Sequence, residues 1–102
     1  MRIDFARSGG FGGVRLAVSV DTEALPEDQV SNLNKLVQEA DFFDLPEQIV
    51  RESPGPDRFE YRLTVGTSHK THTVFVQEAA APESLRTLLN YLTTLAIVSN
   101  KR

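Results

Sequence analysis

At 102 residues and 11.3 kDa the chain has room for one domain, residues 1–102, and excludes a second that folds independently. Its 40% hydrophobic and 25% charged residues exclude a disordered chain or a fibre. With no cysteine, thiol chemistry and thiolate metal sites are excluded, and a formal charge of −3 argues against nucleic acid or an anionic membrane as partner, since both need a basic excess.

Ile3 and Phe5 alternate with Arg2, Asp4 and Ala6, the period of a half-buried strand. Next comes Ser8-Gly9-Gly10-Phe11-Gly12-Gly13, four glycines in six residues, which reads as a wide hairpin loop. Val14, Leu16, Val18 and Val20 then alternate with Arg15, Ala17, Ser19 and Asp21, predicting a second strand antiparallel to the first. Pro26 suits a first helical turn, and Glu27 and Asp28 complement the positive end of the helix dipole. Val30, Leu33, Leu36, Val37 and Ala40 form the inward stripe of that helix. Residues 41–46 close it ahead of Pro46, with Phe42 and Phe43 as core plugs.

Residues 52–58 are turn chemistry throughout and predict a surface loop. Phe59, Tyr61, Leu63 and Val65 alternate with polar residues, and after a turn at 66–70 His72, Val74 and Val76 do the same, predicting a second hairpin. Leu85, Leu88, Leu89, Leu92, Leu95 and Ala96 make the cleanest helical stripe, and residues 99–102 are expected to fray. The order ββαββα predicts an α+β fold: a four-stranded, mostly antiparallel sheet with two helices packed on one face.

Catalytic sets are hard to find in this pattern. His69 and His72 are the only imidazoles, and three positions apart in extended chain they point to opposite faces, so they cannot share a metal. They read as a turn residue and a strand-surface residue. No serine stands in a nucleophile-elbow context, and Asp41 and Asp44 read as helix-end or solvated groups. The chain is therefore expected to carry no metal or cofactor and not to be an enzyme. The glycine run lacks the Lys-Ser/Thr and the following helix of a phosphate cradle. Phe11, with only glycines around it, either folds back over the sheet edge or stands out as an anchor for a partner. Residues 1–5 alternate where a secretory signal would be continuously apolar, so a cytoplasmic location is the expectation.

One ordered set of residues carries a resemblance. Phe5-x-Arg7-Ser8-Gly9-Gly10-Phe11-x-Gly13, Val20-Asp21-Thr22-x-x-Leu25-Pro26, Leu36-Val37-x-x-Ala40-Asp41-Phe42-Phe43-x-Leu45-Pro46, Asp57-x-Phe59-x-Tyr61-x-Leu63-Thr64-Val65 and His72-Thr73-Val74 together resemble the emfourin family of bacterial protease inhibitors. Gly12 departs from the alanine more usual there, a small-for-small change that loosens the loop. The resemblance covers nearly the whole chain and implies an inhibitor of protealysin-like (M4, thermolysin-like) zinc metalloproteases; the free chain is expected to be a monomer. A cleft of that kind joins a zinc ion to an apolar pocket, so it would take an apolar side chain and a carboxylate or carbonyl oxygen. Two loops offer these: Ser8, Gly9, Gly10, Phe11 and Gly12 in one, Asp21, Glu23 and Leu25 in the other. Asp21 and Thr22 also suit a local turn or cap. A non-inhibitory interaction module on the same scaffold is the alternative.

Overall fold

The alternating segments become strands, and the helical stripes become helices, with one addition that the pattern does not announce. In the computed structural model, residues 1–9, 15–50 and 59–100 are described. The loop expected at 52–58, Val14, residues 10–13 and the last two residues lie outside them. In chain order the elements are β1 (Arg2–Gly9), β2 (Leu16–Asp21), α1 (Glu27–Glu39), β3 (Gln48–Ile49), β4 (Phe59–Gly66), β5 (Thr71–Gln77) and α2 (Glu83–Asn100). Single 3₁₀ turns lie at Thr22–Ala24, Phe42–Asp44 and Glu78–Ala80.

The sheet runs β2-β1-β4-β5-β3. It therefore has five strands and is mixed, where alternation predicts four. β3 joins the edge parallel to β5, with Gln48 beside Phe75 and Ile49 beside Val76, and the Phe75 N–H donates to the Glu47 carbonyl at 2.8 Å. Two residues are too few to show a period, so this strand exists only because β5 offers it a partner. The other pairings are antiparallel, as expected: β1 with β2 and β4, and β4 with β5.

Ile3, Phe5, Val20, Leu63, Val65 and Val74 point to one face, where they join Leu33 and Val37 of α1 and Leu85, Leu88, Leu89 and Leu92 of α2 in one apolar cluster. Both helices cover that face, as the patterning requires. The other face is polar and cross-linked between strands. The Ser19 hydroxyl donates to Asp4 at 2.6 Å, and the Thr64 and Thr73 hydroxyls lie 2.8 Å apart.

Helix ends explain three departures from the expected pattern. After α1, Asp41 adopts the left-handed conformation (φ 49°, ψ 46°) that usually falls to glycine at this position. The reversal drops Phe42 into the core at 1% exposure but leaves Phe43 half-buried under the Lys70 ammonium, 4.4 Å from its ring, so only the first is a core plug. Pro26 stands at the N-cap, just ahead of the first turn of α1. Ser99 and Asn100 stay helical where fraying is expected, because no glycine or proline stops α2 before them.

Candidate functional site

The two candidate loops depart from opposite ends of the β1–β2 ladder. Arg7 pairs with Leu16 at one end and Arg2 with Asp21 at the other, five residues away and so about 17 Å along the strands. They cannot form one compact tip.

At the strand-to-helix end, most of the polar groups are already used. The Asp21 carboxylate accepts the Glu23 N–H at 3.0 Å and caps the turn, as a local reading allows. Thr22 is buried, and its N–H and hydroxyl both donate to the Met1 carbonyl, at 2.9 and 3.0 Å. Leu25 is half-buried against the core. Of the three candidates here, Glu23 alone is exposed with no structural duty given to its side chain among the described residues.

At the hairpin end, Ser8 is exposed and Gly9 closes β1 with φ 86°, a backbone that other residues rarely adopt. Gly10, Phe11 and Gly12 lie outside the described residues. Beneath Ser8 sits a cluster that sequence reasoning misses. Arg7 falls in phase with Ile3 and Phe5, so its side chain turns toward the core side at the rim of the sheet. Its guanidinium carbon lies 4.1 Å from the centre of the Phe59 ring. Its Nε is buried without a hydrogen-bond partner among the described residues.

Opposite Arg7 on β4 stands Tyr61, 5% exposed, its ring tilted 37° against Phe5 at 5.9 Å. Glu78 and Arg7 both act on its phenol, the carboxylate raising its pKa and the guanidinium lowering it. Glu78 belongs to the turn after β5, and Arg86 of α2 holds that turn by donating to the Ala81 carbonyl at 3.2 Å and the Glu78 carbonyl at 3.5 Å. A charge in phase with an apolar stripe was the available sign of this cluster, since an inward arginine demands a partner.

Burial pushes the Tyr61 phenol above its usual 10.0, the Glu78 carboxylate pushes the same way, and the Arg7 guanidinium opposes them. A raised folded value means that the unfolded chain releases this proton first, so Tyr61 lowers stability as pH climbs past its unfolded value. Urea unfolding from about pH 9 to about pH 12 should show this loss in the wild type and a shallower one in Tyr61→Phe. Equal slopes would contradict it.

The histidines behave differently from each other. His69 is an exposed turn residue, as expected. His72 is not a surface residue: it is half-buried on the helix-covered side, its ring edge-on to Phe42 at 5.5 Å and its Nε2 2.7 Å from the Leu45 carbonyl. That contact ties the turn after α1 to β5, which a strand-surface reading cannot anticipate. No group of three His, Asp or Glu side chains among the described residues could hold a metal, and no helix there is long and apolar enough to cross a membrane.

The architecture is a five-stranded sheet backed on one face by two helices, with the two candidate segments joined to opposite ends of the β1–β2 pair. The chain belongs to the Emfourin family, whose model matches residues 5–93. Among solved structures it is similar to emfourin from Serratia proteamaculans, described as an M4 family peptidase inhibitor, with 20% identity and a TM-score of 0.48 over 86% of this chain and 84% of that one. No curated protein matches the sequence.

Proposed function

We propose that this chain inhibits zinc metalloproteases of the M4, thermolysin-like class by seating the glycine hairpin at the catalytic cleft. Membership of the Emfourin family over residues 5–93 carries the reading. The scaffold is compatible with it: a standard interface takes about 800 Å² from each partner, roughly one eighth of the 6637 Å² exposed here. The hairpin is preferred because Asp21, Thr22 and Leu25 are committed to internal contacts, whereas Ser8 is exposed beside a glycine of positive φ. Gly10, Phe11 and Gly12 complete the proposed contact, with the Phe11 ring filling the apolar pocket beside the zinc. Glu23 is the competing donor, a carboxylate aimed at the metal from the other end. One copy of the chain binds one protease.

Titrating the protein into a purified thermolysin-like protease, with a chromogenic peptide as reporter, should abolish turnover near equimolar ratio at nanomolar affinity. The inhibitor should stay intact on long incubation. Undiminished turnover at a tenfold molar excess would reject the reading.

A further inference from the structure

We propose that Arg7 and Tyr61 are positioning residues of the inhibitory contact: with Phe59 and Glu78 they pin the end of β1, so that Ser8 and Gly9 leave the sheet in one fixed direction. The purpose assigned to the pin rests on the inhibitory reading; its geometry does not.

The pin is continuous through four parts of the fold. Arg86 of α2 holds the 78–81 turn through its carbonyls, Glu78 of that turn and Arg7 both act on the Tyr61 phenol, Tyr61 stands opposite Arg7 in the ladder, and the Arg7 guanidinium carbon lies 4.1 Å from the centre of the Phe59 ring. Phe59 pairs with Gly9 and Tyr61 with Arg7, so the clamp spans the last rungs of the β1–β4 ladder. Stability alone does not explain this choice of residues. A leucine or valine in phase with Ile3 and Phe5 would bury apolar surface without the desolvation cost of a guanidinium, and Arg7 leaves its buried Nε without a partner among the described residues. A guanidinium supplies direction instead: it sits over the Phe59 ring while facing Tyr61 across the ladder, which restricts the strand end in two senses. Restricting a contact segment before binding reduces the ordering cost that association must otherwise meet.

The test uses Tyr61→Phe, which keeps the ring, and Arg7→Lys, which keeps the charge but not the plane. Ile3→Val, at the far end of β1, controls for lost stability alone. Amide exchange should rise about tenfold at residues 8, 9, 59 and 60 in both pin variants and not in Ile3→Val. Dissociation from the protease should quicken by a similar factor, about tenfold, with little change in association rate. Unchanged exchange at those amides would overturn the pin whether or not the chain inhibits anything. Faster exchange with an unaltered dissociation rate would overturn its positioning role. A wild-type protein that inhibits no M4 protease would remove the inhibitory reading, and with it the role, while the exchange data would still decide the geometry.

Discussion

Tyr61→Ala should lower the free energy of unfolding by about 3–5 kcal/mol, the range of large aromatic truncations in cores. Three losses combine. The ring is 5% exposed and packs on Phe5, so its removal opens a cavity between β1 and β4. Its phenol interacts with Arg7 and Glu78, and truncation removes that polar neighbour from both. Val76, its neighbour on β5, is 1% exposed and would line the void. Against a total of about 5–15 kcal/mol for a native domain, the loss is large enough to read from a urea midpoint. The midpoint should fall with the m-value unchanged. A Tyr61→Ala protein as stable as the wild type but inactive as an inhibitor would instead place this residue in the interface.

Phe11→Ala should weaken inhibition by about 2 kcal/mol or more, roughly thirtyfold, while leaving thermal stability nearly unchanged. The reasoning is a mismatch in chemistry: a large apolar ring is flanked by Gly9, Gly10, Gly12 and Gly13, none of which offers a side chain to cover it. Glu23→Ala is the decisive comparison. The two residues belong to segments leaving opposite ends of the β1–β2 ladder, so one pocket cannot hold both. A small effect of Glu23→Ala is expected. A larger loss there than at Phe11 would assign the cleft to the strand-to-helix connection, and Leu25→Ala would not substitute for this test, because Leu25 packs against the core and its removal costs stability as well. If Phe11→Ala lowers the melting temperature and spares inhibition, the ring covers the sheet edge instead.

Local periodicity was enough to place the longer elements. Ile3 and Phe5, Tyr61 to Val65, and the leucines of α2 each show a period to short-range inspection, because burying one face imposes it on every residue in the run. The same rule located Tyr61 on the inner face and gave both helices to one side of the sheet. The ordered motifs, from Phe5 to Val74, carried the family. Only the tertiary structure decided the remainder, and in each case the deciding partner is far away in sequence. β3 is a strand because β5, twenty-seven residues further on, pairs with it. His72, in phase with Val74 and Val76, meets the Leu45 carbonyl and the Phe42 ring, partners that its own strand does not name. The five-residue register between Arg7↔Leu16 and Arg2↔Asp21 sets the two candidate loops apart, although both follow strands and carry suitable residues. Arg7, read alone, is a charge at a strand end; Phe59, Tyr61 and Glu78, brought to it from β4 and the turn after β5, make it a clamp. Sequence determines which faces must be buried, since that follows from each residue's own hydration, whereas which side chains meet there depends on chain paths that no local pattern encodes.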